Sequence, residues 1–204
     1  MEEEFQLLIE NSLLNAEEKI SKINYEIINL EGMCGLKTRH FYNNLLNYCY
    51  EPRYLEIGSW KGSSTSSAMY KNKASILSID NWGVVGGKEE FIKNFEIFKG
   101  DNDANYIDID YLNNVPEINS KFNIYVYDGD NSKDSNYKAL CLYYNYLDDI
   151  FIYVKNDWNE EYVREETEEA IKKLNLKYIY KREIKKEKSM NDWWNGICFF
   201  ILRK

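Results

Sequence analysis

The stretch Tyr54-Leu55-Glu56-Ile57-Gly58-Ser59-Trp60-Lys61-Gly62-Ser63-Ser64-Thr65 decides how the rest of the chain is read. A short apolar run ends in an acid, a Gly-x-x-x-Gly spacing follows, and a cluster of hydroxyl residues suited to starting a helix closes it. That order predicts a strand, a tight loop and a helix N-terminus. Glycine tolerates positive φ and carries no Cβ, so the loop backbone can lie against a ligand. The first helical turn leaves amide N–H groups unpaired beside that loop. Such a loop suits a nucleotide-like ligand at the carboxyl edge of a parallel sheet.

The spacing is Glu-x-Gly-x-x-x-Gly, neither the Gly-x-Gly-x-x-Gly of dinucleotide folds nor a phosphate-binding Walker loop, whose Gly-Lys-Ser order Lys61-Gly62-Ser63 reverses. About twenty residues on, the distance at which dinucleotide folds place their ribose acid, Ser75–Trp82 reads as a second strand ending in Asp80. A carboxylate there can accept hydrogen bonds from both hydroxyls of a ribose. The plainer reading is an ordinary glycine turn and a strand-end acid. Taken together, the two motifs resemble the class I S-adenosylmethionine-dependent methyltransferases, with Glu56–Gly62 as their first motif and Asp80 as their second.

The chain of 204 residues is long enough for a full core, and its formal net charge of −8 argues against a nucleic-acid substrate. The run Lys181–Lys188 is basic, but Glu183 and Glu187 interrupt it, which favours a solvated strand or hairpin. This charge argument discounts nucleic acid and leaves a tRNA or cap substrate as an open alternative. Cys34, Cys49, Cys141 and Cys198 are far apart and sit among apolar neighbours, as small buried hydrophobes of a reducing compartment do. The start Met1-Glu2-Glu3-Glu4 is acidic, unlike a signal peptide, and no apolar run approaches a membrane span. The expectation is a cytoplasmic protein with no membrane partner.

Residues 1–50 predict a helical segment and residues 51–204 the cofactor-binding domain. Leu13, Ala16, Ile20, Ile23, Ile27 and Leu30 step by three and four, the stripe of one or two helices. Such a stripe packs on the domain's own flank, or serves as a lid or a homodimer seam. Gly32 and Gly35 punctuate its end, and Thr38 can cap a helix whose apolar face is Phe41, Tyr42, Leu45, Leu46 and Cys49.

After Pro52, strands at 53–57, 75–79, 106–109, 122–127 and 150–154 alternate with helices at about 63–71, 88–98, 134–147 and 160–174, the turn chemistry between them including Gly83–Gly87. Alternation of this kind predicts right-handed crossovers and a parallel sheet covered on both faces. The acids opening the helix at 160 read as a solvated start that complements the helix dipole. Residues 177–184 and 197–203 read as two closing strands, antiparallel because their connection is short. The fold class is therefore α/β: a Rossmann-like, doubly wound, mostly parallel seven-stranded sheet with a C-terminal antiparallel hairpin, preceded by N-terminal helices. The resemblance covers Pro52 to the C-terminus.

Within it, Tyr127-Asp128-Gly129-Asp130-Asn131-Ser132 is similar to the Asp-Gly-Asp-His-Ser signature of a methyltransferase subgroup found near sugar- and natural-product-modifying enzymes. Asn156-Asp157-Trp158 stands where that subgroup has two acids and an aromatic. The resemblance implies S-adenosylmethionine as cofactor, bound by Glu56, Gly58, Ser59 and Gly62 at the methionine and ribose end. It assigns Asp80 to the ribose hydroxyls, Asn81 or Trp82 to adenine, Asp108 to the adenine amino group and Asp128 to the methionine ammonium.

Some members hold Mg2+ through strand-end carboxylates, which here would fall to Asp130, Asp157 and Asn156. Metal-free transfer by proximity is the alternative. Asn131 replaces the usual histidine and Asn156 the first acid, so the catalytic candidates are Asp130, Asp157, Asn131 and the chain's single histidine, His40. The reading is methyl transfer to a hydroxyl of a small molecule such as a sugar or polyol. A non-catalytic module that binds the same cofactor is the alternative, and a nicotinamide oxidoreductase is a further one that lacks its Gly-x-Gly-x-x-Gly.

Overall fold

A computed structural model describes residues 2–83 and 85–204. Val84, inside the expected glycine loop 83–87, and Met1 lie outside the described residues. The elements in chain order are α1 (Glu2–Glu17), α2 (Tyr25–Ile28), α3 (Leu36–Tyr48), β1 (Arg53–Ile57), α4 (Ser63–Met69), β2 (Ser75–Asp80), α5 (Lys88–Phe98) and β3 (Asp103–Asp108). They continue with β4 (Phe122–Tyr127), α6 (Ser135–Tyr143), β5 (Leu147–Asn156), α7 (Glu161–Lys173), β6 (Lys177–Ile184) and β7 (Ile197–Arg203).

The seven strands form one sheet in the order β3-β2-β1-β4-β5-β7-β6. β1 to β5 run parallel, and β7 pairs antiparallel with both β5 and β6. The expected layout is therefore present, hairpin included. Its inner strands read as continuous apolar runs because both faces are covered. Tyr54, Ile76, Ile124, Val126, Ile152 and Phe199 pack under α1, α3, α4 and α5. Their neighbours along the chain, Leu55, Ile57, Tyr125, Tyr127, Tyr153 and Phe200, pack under α6 and α7.

The N-terminal helices share the first of these cores. Leu8, Ile9, Leu13 and Ala16 of α1 join Phe41, Tyr42 and Leu45 of α3 against the sheet. Of the expected stripe, Leu13 and Ala16 are buried in this core and Ile23 and Ile27 in a separate small cluster with Phe98, while the stripe breaks between α1 and α2 and leaves Ile20 58% exposed. Thr38 does not cap α3. The helix begins two residues before it, at Leu36 behind Gly35 at its N-cap, and Thr38 is buried inside.

Element boundaries also move: β3 starts at Asp103 and not 106, and β5 runs on to Asn156. α6 ends at Tyr143, a short 3-10 turn covers Tyr144–Tyr146, and β5 starts early at Leu147. Leu147 pairs with Phe122 across a register shift, so the sheet reaches further down than local preference suggests. No helix among the described residues is long and apolar enough to cross a membrane.

Candidate functional site

The register of the parallel strands places the site. Ile57 pairs with Ile79 on one side and Tyr127 on the other, and these ladders run one step further: Gly58 N–H donates to Ile79 O, and Asp128 N–H donates to Ile57 O, both at 2.9 Å. The chain reverses direction at Gly58 with φ +89°, and a Cβ there would sit on the backbone of Asp128 and Gly129. Only glycine fits so close to a neighbouring strand tip. Gly129 is equally confined, since a Cβ would lie 2.7 Å from the Tyr111 hydroxyl, which accepts the Asp130 N–H at 2.8 Å.

A cleft of about 270 Å³ opens above these tips. Gly58, Ser59, Trp60, Ser63 and Ser64 form its floor; Asp128, Gly129, Asn131 and Asp157 form the wall at β4 and β5. Met33, Cys34, Lys188 and Trp194 form the opposite wall. Buried Ser59 Oγ and Asn131 Oδ1 have no hydrogen-bond partner within the chain. Unpaired buried polar atoms are costly, so their presence in a cleft marks where a polar ligand belongs.

The expected cofactor residues divide. Gly58, Ser59 and Asp128 line the cleft. Gly62 (φ +79°) is the N-cap of α4, with the Phe91 ring 2.9 Å from where its Cβ would stand. Glu56 lies below the floor, fully buried, accepting from Tyr54 Oη at 3.0 Å, Thr65 Oγ1 at 2.8 Å and Ser64 Oγ. Burial pushes its carboxyl above the usual range, and the three hydroxyls offset part of that rise. It binds α4 to β1.

Asp80 holds the loop from the side: Trp60 N–H donates to Oδ2 at 2.8 Å, and Asn81 and Trp82 N–H donate to Oδ1 at 2.7 and 3.0 Å. Trp82 is buried against Phe91 and donates its indole N–H to Trp60 O at 2.6 Å, so its ring belongs to the core. Asn81 and Asp108 are exposed, the latter paired with Lys88 at 2.5 Å.

The four catalytic candidates are not brought together. Asn131 Nδ2 donates to Asp157 Oδ2 at 2.6 Å, and both line the cleft. Asn195 Nδ2 donates to the other oxygen of Asp157 at 3.0 Å, so this carboxylate is aimed by two amides. Asp130 instead folds back on its own loop, accepting from Ser132 N–H at 3.1 Å and from the Ser132 hydroxyl. His40 sits inside α3, its Nδ1 2.8 Å from Ser21 Oγ, and is absent from the cleft lining. Burial draws its pKa down to about 4.

The Mg2+ reading needs correcting. Asn156 turns away from Asp157 and donates to Tyr42 Oη at 2.8 Å on the α3 face of the sheet. β5 ends at Asn156 and the chain turns at Asp157 (φ +56°), so the two side chains do not converge. With Asp130 engaged locally, no group of three His, Cys, Asp or Glu among the described residues is placed to hold a metal ion. The donor set does not fit.

Sequence reasoning missed Lys155. It is fully buried on β5, donates to Asn156 O at 2.9 Å, and stands over the Tyr127 ring at 4.9 Å. Burial lowers its pKa to about 8 against the opposing pull of Asp157 and Asp128. The Asp128 carboxyl is pushed well above the usual carboxylate range, first by burial and then by the Asp157 charge, with Lys155 acting in the opposite direction. A cation entering the cleft would relieve that repulsion.

Met33, Cys34, Lys188, Trp194 and Asn195 were missed too, because they belong to no local motif and reach the cleft or Asp157 only through tertiary packing. Cys34 is an inert part of the wall, its thiol pushed up to about 12 by burial.

The fold is one that solved methyltransferases carry. An O-methyltransferase from Bacillus cereus, solved in complex with SAH, superposes with a TM-score of 0.65 at 10% identity, covering 98% of this chain and 100% of its own. TYW2 of M. jannaschii, in complex with AdoMet, gives 0.55 at 14% identity over 76% of this chain and 70% of its own. A Pyrococcus horikoshii protein described as a candidate RNA methyltransferase, PH1948, gives 0.57 at 12% identity over 95% and 96%. No protein-family model matches the sequence, and comparison with curated protein sequences finds no match.

Proposed function

We propose that the protein binds S-adenosylmethionine in the cleft above Gly58 and transfers its methyl group to a hydroxyl of a small molecule. One observation carries this reading. The uncommitted Asp128 carboxylate and the unpaired Ser59 hydroxyl face one cleft at the carboxyl ends of β1 and β4, where open α/β sheets bind ligands. Asp128, raised by burial and by Asp157, favours a cationic partner such as an amino-acid ammonium. Ser59 Oγ and the backbone of Gly58 would hold the amino-acid end, and the adenosine would extend toward Asp80 at β2.

Bound there, the sulfonium supplies an electrophilic methyl carbon. The protein's task is to orient an acceptor oxygen in line with it and to take the acceptor proton. Asp157, aimed by Asn131 and Asn195 at the cleft wall, is the carboxylate for that proton. Asp157 would take the hydroxyl proton of the acceptor as the methyl group passes to that oxygen. Trp194 and Lys188 form the wall assigned to an acceptor. A cleft of this size and a net charge of −8 support a small acceptor, such as a sugar or polyol, over RNA.

Titration calorimetry with S-adenosylmethionine, S-adenosylhomocysteine and NAD tests the cofactor. Binding of the first two and not the third is expected; binding of NAD alone would overturn the reading. Transfer of a labelled methyl group to a panel of polyols and phenols tests turnover, and its complete absence would leave a binding module.

A further inference from the structure

Arg39 is fully buried on α3, yet none of its hydrogen bonds goes to an acid. Its Nε donates to Cys34 O at 2.9 Å, and Nη1 donates to Ile27 O at 2.9 Å, Ile28 O at 3.2 Å and Leu30 O at 2.9 Å. Nη2 has no partner. A guanidinium presents its donors in a rigid fork, which suits it to gathering several carbonyls at fixed positions. The carbonyls gathered here belong to the end of α2 and to the segment 29–35 that follows.

That segment is a strap across the cleft. At Gly32 it presses on the first residue of α4, where a Cβ would overlap Ser63 Oγ and lie 2.5 Å from Ser63 Cβ. At Gly35 it presses on the loop before β7, where a Cβ would lie 2.7 Å from Trp194 N. Glu31 pairs with Lys61 of the glycine loop at 2.8 Å, and Leu36 N–H donates to Met190 O at 2.7 Å. Between these anchors Met33 and Cys34 face Gly58, Ser59 and Asp128 across the cleft. Because β2 lies on the far side of β1 from β4, the strap borders the amino-acid end of the proposed cofactor and not its adenosine.

We propose that Arg39 is a positioning residue for the cofactor: by holding the strap it shapes the wall against the methionine moiety, without touching the ligand. This rests on the cofactor reading above. The residues ahead of β1 are then part of the site.

The test compares two ligands, S-adenosylhomocysteine and methylthioadenosine, which lacks the amino-acid end. Arg39→Gln should weaken the first about tenfold or more while methylthioadenosine binds within about twofold of wild type. Arg39→Lys, with one ammonium in place of the fork, should fall between. Equal weakening of both ligands, or no change in either, would overturn the clamp. If Arg39→Gln does not fold, Gly32→Ala serves, because its Cβ collides with Ser63 and moves the strap, while meeting Arg39 Nη2 only at an ordinary contact distance of 3.5 Å. It should show the same split, and combining it with Ser63→Gly should return S-adenosylhomocysteine affinity to that of Ser63→Gly alone; failure of that rescue counts against the proposal. A wild-type protein that binds neither ligand sinks the cofactor reading itself, an outcome distinct from the others.

Discussion

The backbone N–H of Trp60 donates to Oδ2 of Asp80 at 2.8 Å, so the glycine loop after β1 and the tip of β2 form one rigid piece. Asp80 also accepts from Asn81 and Trp82, and the Trp82 indole returns a hydrogen bond to Trp60 O. The acid read as a ribose ligand therefore has a second task already visible in the fold, holding the loop on which the cofactor would rest.

Asp80→Ala should reveal both tasks. Three amide donors lose their acceptor, which corresponds to a stability loss of about 2–3 kcal/mol. Affinity for S-adenosylhomocysteine should fall about tenfold or more. Thermal unfolding and calorimetry on the same preparation separate the two, and unchanged affinity would refute the ribose assignment.

Glu56 predicts the opposite balance. Glu56→Gln keeps the shape but cannot accept from Tyr54, Ser64 and Thr65 together, so stability should fall by about 1–2 kcal/mol. Cofactor affinity should stay within about threefold, since the carboxylate lies below the floor. A large affinity loss at unchanged stability would return Glu56 to the ligand shell.

Asp128 makes binding depend on pH. Its carboxyl titrates well above the ordinary range, so at low pH it is protonated and offers an ammonium no charge. Affinity for S-adenosylhomocysteine should rise with pH through that titration, and Asp128→Asn should flatten the rise. The same shift affects the free protein. Between the ordinary carboxylate range and the raised value the native state holds the extra proton, so this group lowers stability as pH increases through that window. Denaturant titrations of the two proteins across pH would expose the difference.

Asp157→Asn should act on turnover. The new amide faces the amides of Asn131 and Asn195 and accepts no proton, so kcat should fall about a hundredfold. S-adenosylhomocysteine affinity should change little. Once an acceptor is known, undiminished kcat would exclude Asp157 as the proton acceptor.

His40 gives a stability prediction away from the cleft. Its pKa is depressed from 6.5 to about 4, so between those values the unfolded chain takes up a proton that the folded one refuses. Its contribution is present above pH 6.5 and is lost as pH falls toward 4. His40→Gln should remove that component, so the two proteins' pH–stability curves should differ in slope between pH 6.5 and 4. Parallel curves would contradict it.

The acids that open α7 show how far local sequence reaches. Read as a solvated helix start, they include Glu166, whose carboxylate accepts the N–H groups of Asp134 and Asn136 at 2.8 and 3.2 Å and so caps α6. Glu168 pairs with Lys181 at 2.5 Å on β6. Nothing in the order of residues states which helix will lie beside which. The Asp-Gly-Asp run is a similar case: its glycine is demanded by Tyr111, and its second acid turns onto Ser132 instead of toward Asp157.

By itself the sequence determined the alternation of strands and helices, the closing hairpin and the glycine turn at Gly58, because periodicity and backbone freedom are local properties of the chain. Tertiary structure alone decided that Asn156 faces Tyr42, that Asp157 is aimed by Asn131 and Asn195, and that Arg39 draws the strap at 29–35 over the cleft. Those relationships join residues far apart in the chain. Their physical cause is the packing that brings them within reach and the need of each buried polar group for a partner.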